Sequence, residues 1–161
     1  MVHFGEKVDS MNEEKVTQFI VNWLLENGWR IISIDIPQAG SGLAIHIDRA
    51  SERTLGGIHK AHVPDVIAER NGVFLFFEDK PRFLLDDFRK VHRLRTDDRY
   101  RTGIERITGP NAVGVKFGVG LQDTASNEQK ALAHSDLVDF IVLVDQKRGC
   151  RIGFQKGALF P

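Results

Sequence analysis

The chain has 161 residues with 22 basic and 22 acidic side chains, so its formal net charge is zero. Such a length is typical of one domain with a real hydrophobic core, here over 1–161, and the charge balance excludes a general polyanion binder. The longest apolar runs, 73–77 and 140–144, are far too short to span a membrane. With one cysteine, Cys150, and no apolar signal core, we expect a cytoplasmic protein without an internal disulfide or a Cys-based zinc finger.

The first half of the chain predicts a helix followed by strands. Ser10 and Glu13 have the spacing of a capping box at a helix N-terminus, and Gly28 is typical of the residue that follows a helix. The β-rich segments after it lie at 29–36, 43–47 (a short candidate), 61–70 and 73–80.

The second half alternates between helices and strands. Apolar residues at helical spacing predict a helix over about 83–95, and a Gly-Pro-Asn turn at 109–111 precedes the next strand. Over 113–121, apolar residues alternate with lysine or glycine, which predicts a strand with a smooth face for close packing of a helix or a nucleic-acid backbone. A short helix at 127–134 and a buried strand at 137–144 complete an alternating α/β domain.

Asn71 and Gly72 lie between two apolar-rich runs, a pattern typical of a two-residue hairpin turn in which both residues have positive φ. With this turn, the numbers of facing residues sum to 143, so that Asp65 is predicted to face Glu78. A slip of one residue in this register would place the two acids on opposite faces of the sheet.

The predicted pair of Asp65 and Glu78 would place two negative charges opposite each other, so a positive charge nearby is expected. Like charges at facing positions, with Cβ atoms about 4.5–5.5 Å apart, destabilise a sheet, and a divalent metal ion would offset them. Since side chains alternate along a strand, Lys80 shares the face of Asp65 and Glu78, whereas the Asp79 side chain points to the other face. Two carboxylates and a lysine on a rigid hairpin are the parts needed for metal-assisted cleavage of a phosphodiester. The alternative is an exposed hairpin with solvated charges, which apolar neighbours such as Phe76 disfavour.

Pro64 and Asp65, then twelve residues, then Glu78, Asp79 and Lys80 resemble the signature of the PD-(D/E)xK nuclease superfamily. The resemblance implies an α-β-β-β-α-β-α-β core with a mixed central β-sheet flanked by helices, the restriction-endonuclease-like fold. It also implies Mg²⁺, for which Mn²⁺ can substitute, held by the carboxylates of Asp65 and Glu78 and by the backbone carbonyl of Asp79. Lys80 would lower the pKa of a bound water or stabilise charge on the phosphorus oxygens.

The superfamily often adds an acidic residue from the first helix, and two neighbours are candidates in this chain. Glu13 lies at helical spacing with Val16 and Ile20 and follows the stripe that packs on the sheet, but a capping-box glutamate needs no other role. We take Glu14 as the catalytic candidate and keep Glu13 as the alternative.

Basic residues that follow the site in sequence are candidates for phosphate contacts: Arg89, Lys90, Arg93 and Arg95. They fall on the side of the predicted helix away from its apolar stripe, where a merely solvated charged face is the alternative. The segment 38–60 precedes the hairpin, and we expect base contacts there from Arg49, Arg53 and Lys60, with a disordered insertion as the alternative.

These patterns predict a magnesium-dependent endodeoxyribonuclease that acts on double-stranded DNA and is most similar to a small type II restriction enzyme. Cutting two strands with one site per chain predicts a homodimer. A repair nuclease, a junction resolvase and a nicking subunit are alternatives within the class. A non-catalytic nucleic-acid-binding domain and an α/β domain with a small-molecule function are alternatives from other classes; the intact acid–acid–lysine set disfavours the former.

Two other chemistries are disfavoured by the sequence. His59 and His62 are three residues apart, with His46 nearby, but in a segment leading into a strand this spacing does not bring both rings to one face for zinc. Cys150 has no histidine base in its neighbourhood along the chain, so a nucleophilic cysteine is not predicted.

Overall fold

A six-stranded mixed β-sheet forms the centre of the protein in a computed structural model that describes residues 10–36, 41–48 and 61–160. The strands are β1 (Arg30–Ile34), β2 (Val66–Arg70), β3 (Val73–Lys80), β4 (Gly114–Gln122), β5 (Phe140–Asp145) and β6 (Gly149–Gln155). The helices are α1 (Glu13–Glu26), α2 (Leu85–Thr96), α3 (Arg101–Thr108) and α4 (Ala125–Ala133), with short 3-10 turns at Asp98–Tyr100 and Ser135–Leu137. Among the described residues, no helix combines the length and the apolar character needed to cross a bilayer.

The strands lie side by side in the order β1-β2-β3-β4-β5-β6, which is also their order along the chain. β1, β2 and β3 form an antiparallel meander, β4 and β5 run parallel to β3, and β6 returns antiparallel to β5. On one face α1 contributes Ile20 to a core with Phe77, and on the other α2 contributes Phe88 to a core with Phe117. The predicted α/β architecture, a mixed central sheet flanked by helices, is confirmed.

The β2–β3 hairpin has the predicted turn. Asn71 and Gly72 have φ angles of 52° and 81°, so both central residues take the left-handed conformation that a two-residue turn of this kind requires. Pairing begins at Arg70–Val73 and runs to Val66–Phe77, and every pair sums to 143. The register derived from the turn is confirmed for these pairs.

The start of α1 differs from its prediction. Asn12, not Ser10, is the N-cap: its side chain accepts a hydrogen bond from the Lys15 amide at 2.8 Å. The capping-box prediction is wrong because the Met11 amide is already bonded to a side chain of β4, which holds the chain before Asn12 outside the helix. Gly28 has a φ of 81° just beyond the C-cap of α1, as predicted.

Three features of the second half and of the segment before β2 were not predicted correctly. α3 was missed because Gly103 lowers local helix propensity, yet a side chain there would collide with the backbone of His46. β6 was missed because it contains glycines and a charged residue and lies at the sheet edge, where pairing with β5 is enough to hold it. The candidate strand at 43–47 is only a single bridge between Ile45 and His62.

Two glycines of β4, Gly118 and Gly120, lie where neighbouring groups approach closely. A Cβ at Gly120 would meet the Ile20 side chain of α1 and would lie 2.6 Å from Oδ1 of Asp79. By contrast, a Cβ at Gly114 would meet Val73 at 3.9 Å, an ordinary contact. The predicted smooth face therefore serves the packing of α1 against β3 and β4.

Replacing Gly120 by alanine is expected to lower the free energy of unfolding by about 1–3 kcal/mol, because the added methyl group displaces Ile20 or Asp79. Gly114→Ala is the matched control in the same strand and should change that free energy by less than about 0.5 kcal/mol. Urea denaturation followed by circular dichroism measures both. Equal losses in the two variants would contradict the close approach at Gly120.

Candidate active site

Asp65 lies just beyond the last pair of the β2–β3 ladder, Val66–Phe77. Its amide donates to the Phe77 carbonyl at 2.9 Å, and its carboxylate Oδ2 accepts a hydrogen bond from the Asp79 amide at 2.7 Å. Because Val66 already faces Phe77, the Asp65 amide that bonds to the Phe77 carbonyl is out of the hairpin register, and the prediction that Asp65 directly faces Glu78 is wrong. The hydrogen bond between the Asp79 amide and the Asp65 carboxylate nevertheless holds Asp65 next to the segment 78–80.

The end of backbone pairing coincides with Pro64, which has no N–H to donate to β3. Within a strand the N–H and C=O of one residue point to the same side, and the Asp79 N–H points to Asp65. The Asp79 carbonyl is therefore directed to the side of the Asp65 carboxylate, as its predicted role as a metal ligand requires.

Glu78 and Asp79 point to opposite faces of the sheet, as predicted. Oε1 of Glu78 accepts a hydrogen bond from Nζ of Lys90 in α2 at 3.3 Å. Oδ2 of Asp79, on the other face, accepts one from the hydroxyl of Thr17 in α1 at 2.8 Å. The two helices that sandwich the sheet thus each supply a partner to one of the two neighbouring acids.

His62 approaches Glu78 from the segment 61–65, which was predicted as the start of β2 but forms only an isolated bridge between His62 and Ile45. Its Nε2 lies 3.4 Å from Oε2 of Glu78. Burial, followed by the charges of Lys90 and Arg93, lowers the pKa of His62 to about 4, so the imidazole is neutral near pH 7. A neutral imidazole at this distance forms no ion pair, and Oε2 of Glu78 stays buried without a hydrogen-bond partner.

Lys80 is joined to the first helix. Its Nζ lies 3.4 Å from Oε2 of Glu13, and its side chain is 27% exposed. Glu14 lines a cavity of about 420 Å³ together with Glu13 and Asp65, but among the described residues it forms no hydrogen bond or ion pair. The geometry therefore brings Glu13, the alternative left open by the sequence, into the charge network rather than Glu14.

Burial dominates the electrostatics of the site. It raises the pKa of the Asp65, Glu78 and Asp79 carboxyls, and the charges of Asp79 and Glu78 raise that of Asp65 further. Burial lowers the pKa of Lys80, but the charges of Glu13 and Glu78 outweigh it and the net shift is upward. Buried acids with too little positive charge around them are the groups that gain most from a bound cation.

Two buried carboxylate oxygens of the motif lack a hydrogen-bond partner: Oε2 of Glu78, which belongs to the predicted donor set, and Oδ1 of Asp79, which points to the other face and does not. As the side chains stand, the part of the chain that the structure describes contains no group of three His, Cys, Asp or Glu side chains that could hold a metal ion. The predicted set needs only two such side chains, Asp65 and Glu78, with the Asp79 carbonyl as a third oxygen and water in the remaining positions, an arrangement that suits Mg²⁺.

The basic residues of α2 differ in their surroundings. Arg89 is 60% exposed and lies 3.6 Å from Asp86, whereas Lys90 reaches Glu78. Arg95 donates to Asp139 at 3.1 Å and is largely buried, so the expectation that it lies on the solvated side is wrong; its long side chain reaches an acid just before β5. Arg93 is exposed. The remaining candidates for nucleic-acid contacts lie outside the described residues: Arg49, Arg53 and Lys60.

Sequence reasoning missed two residues of this region. Thr17 is a helix residue whose hydroxyl becomes important only because α1 packs over Asp79. Asp87 is buried in α2 next to Phe88, with its Oδ2 lacking a hydrogen-bond partner. Asp87 lies at helical spacing with Val91 and Leu94, so the sequence already places an acid on the apolar stripe of the helix. An acid at such a position could have been recognised from the sequence as a candidate for the site.

The structure also bears on the chemistries that the sequence disfavoured. Cys150 donates to the backbone carbonyl of Phe19 at 3.5 Å, and burial raises the pKa of its thiol to about 12, which suppresses the reactive thiolate. His62 contacts Glu78, while His59 lies outside the described residues.

No protein-family model matches this chain, and comparisons with curated proteins and with solved structures give no significant match.

Replacing Thr17 by valine is expected to lower the free energy of unfolding by about 1–3 kcal/mol, because the buried Asp79 carboxyl loses its hydrogen bond without any change in side-chain volume. Thr17→Ser, which keeps the hydroxyl, is the control and should remain closer to the wild type. Chemical denaturation measures the difference. A valine variant as stable as the serine variant would show that this hydrogen bond is not needed to bury Asp79.

Proposed function

We propose that this protein is a metal-dependent endodeoxyribonuclease of the PD-(D/E)xK type. The observation that carries the proposal is the hydrogen bond from the Asp79 amide to Oδ2 of Asp65, which joins the two halves of the motif at the open end of the hairpin. The buried acid Glu78 and the half-buried Lys80 flank this bond. Few structural roles require so many buried ionisable groups with shifted pKa values, whereas the hydrolysis of a phosphodiester uses such groups.

The strand order supports a restriction-endonuclease-like core. An antiparallel meander β1-β2-β3 precedes α2, and β4 then lies beside β3 and parallel to it. A helix precedes the meander on one face, and another helix, α4, connects β4 to the parallel β5. This is the α-β-β-β-α-β-α-β order implied by the motif resemblance, with α3 and β6 as additions.

Each residue of the site has a distinct proposed role. Asp65 and Glu78 hold Mg²⁺ or Mn²⁺ together with the Asp79 carbonyl. The metal ion, when bound, lowers the pKa of a water and offsets charge on the phosphate. Lys80 supplies a fixed positive charge for the negative charge that develops on the phosphorus oxygens. Glu13 keeps Lys80 protonated and directs its Nζ, since the two groups are 3.4 Å apart and Glu13 raises the lysine pKa.

The proposed substrate is double-stranded DNA in the cytoplasm, and the proposed enzyme is a type II restriction endonuclease acting as a homodimer. Among the described residues, Arg89 and Arg93 of α2 are the candidates for contacts with DNA phosphates, because both side chains are exposed. A repair nuclease, a junction resolvase or a nicking subunit would use the same site, so the products of cleavage decide among them.

Incubation with supercoiled plasmid and Mg²⁺ is expected to give discrete linear fragments, and omission of the metal should abolish cleavage. Asp65→Asn should be inactive because a metal ligand is lost, and Lys80→Met should lower the cleavage rate by about 100-fold or more because a charge that stabilises the transition state is lost. Asp98→Asn, an exposed acid paired with Arg101, is the control and should retain activity. Gel electrophoresis of time courses measures the rates.

The DNA products of this assay distinguish a restriction endonuclease from the other kinds of nuclease that could use the same site. Nicked circles alone would indicate a nicking enzyme, and cleavage restricted to branched substrates would indicate a resolvase. DNA binding that is independent of metal, with no cleavage of any DNA substrate, would contradict the nuclease proposal.

Glu13→Gln is expected to lower the cleavage rate by about 10-fold or more, whereas Glu14→Gln should leave it close to the wild-type rate. The reason is that Glu13 contacts Lys80 and Glu14 does not, and partners that orient a catalytic site typically contribute on this scale. Both glutamates lie in the first turn of α1 and the substitution is the same, so Glu14, the more exposed of the two, serves as the control for Glu13. A larger loss of cleavage rate in Glu14→Gln than in Glu13→Gln would support Glu14, the candidate taken from the sequence.

A further inference from the structure

Lys90 holds a position next to Glu78 that a bound cation would compete for. Its Nζ donates to Oε1 of Glu78 at 3.3 Å, and Glu78 is 7% exposed while Lys90 is 38% exposed. A buried acid is therefore partly neutralised by a lysine from another element whose side chain still has access to solvent. Such a lysine is free to leave without the helix moving.

Asp87 offers Lys90 a second partner. It lies three residues before Lys90 in α2, a spacing at which the two side chains are neighbours on the helix surface. Its carboxylate is buried, and its Oδ2 has no hydrogen-bond partner. Burial raises the pKa of Asp87 while the charges of Lys80 and Lys90 oppose that rise, which places both lysines in its electrostatic field.

Asp86 and Arg89, one position earlier in α2, form an acid–base pair with the same spacing that is exposed to solvent. Asp86 is 94% exposed and lies 3.6 Å from Arg89 at the same spacing of three residues. An exposed pair of this kind contributes little to stability and is accessible to solvent ions. Asp87 and Lys90 carry the same charges one position along, but both face the site.

We propose that Lys90 is a positioning residue with two partners: it pairs with Glu78 while the site holds no divalent cation, and moves to Asp87 when Glu78 becomes a metal ligand. This inference rests on the proposed function, since it takes Asp65 and Glu78 as the metal-binding acids. In the first arrangement Lys90 limits repulsion among the buried acids. In the second, Asp87 receives the displaced ammonium group and gains the partner that its Oδ2 lacks.

The arrangement makes Lys90 a competitor of the metal ion and Asp87 an aid to its binding. Removing Lys90 should therefore tighten metal binding, and removing the charge of Asp87 should weaken it. The weakening should depend on Lys90, because Asp87 acts by accepting that side chain. A general electrostatic effect of Asp87 on the cation would instead be present whether or not Lys90 is there.

Titration calorimetry with Mn²⁺, on the full chain without DNA and at about 0.15 M ionic strength to screen distant charges, measures these effects. Lys90→Met is expected to bind Mn²⁺ about 10-fold more tightly than the wild type. Arg89→Met, which loses the same charge from the exposed pair, is the control and should change the affinity by less than about 2-fold. Asp65→Asn should abolish binding and so identifies the site that is being titrated.

A double-mutant cycle tests the second partner. Asp87→Asn should weaken Mn²⁺ binding several-fold in the wild-type background and have little effect in the Lys90→Met background, while Asp86→Asn should be without effect in both. Circular dichroism of each variant confirms that it is folded before it is titrated.

Three results would overturn the inference, and one of them would also overturn the proposed function. Equal affinities of Lys90→Met and Arg89→Met would show that Lys90 does not compete with the metal. The same weakening by Asp87→Asn in both backgrounds would show that Asp87 does not act through Lys90. In either case the metal site and the proposed nuclease would stand, whereas the absence of Mn²⁺ binding in the wild type and in every variant would overturn both proposals.

Discussion

The hydrogen bond between the Asp79 amide and the Asp65 carboxylate is the contact on which the rest of the site depends. It forms where the backbone ladder ends, next to Pro64, which has no N–H to donate to β3. A side chain thereby takes the place of a backbone acceptor, and a carboxylate that would otherwise point to solvent is held against the strand. The Asn71–Gly72 turn sets the length of the hairpin and so sets where this substitution occurs.

Burying these acids has a cost that the protein offsets in several separate ways. Thr17 donates to Asp79 on one face, and Lys90 donates to Glu78 on the other. Glu13 and Lys80 form a further pair at the strand end. None of these partners satisfies every carboxylate oxygen, since Oε2 of Glu78 and Oδ1 of Asp79 remain without one. A site that is incompletely neutralised in this way retains an attraction for a cation.

Much of the fold followed from local patterns, and the errors fall where local patterns are weak. The helical stripe of α2 predicted a helix because it buries one face against the sheet, and the alternation over 113–121 predicted β4 because side chains alternate between the two faces of a strand. α3 was missed because Gly103 lowers helix propensity, although the same glycine permits the close approach of the helix to His46. Asn12 rather than Ser10 caps α1 because the Met11 amide is bonded to β4, a contact between residues distant in sequence.

The sequence by itself determined the hairpin and the alternation of side chains along it, because both depend on the turn and on the period of a strand. It therefore sent the side chains of Glu78 and Asp79 to opposite faces of the sheet. Only the tertiary structure decided which helix residues meet these acids. Glu13 rather than Glu14 reaches Lys80, Thr17 reaches Asp79, and Lys90 reaches Glu78, because these contacts depend on how each helix is docked on the sheet. Docking is set by the packing of the two cores, which no local pattern encodes.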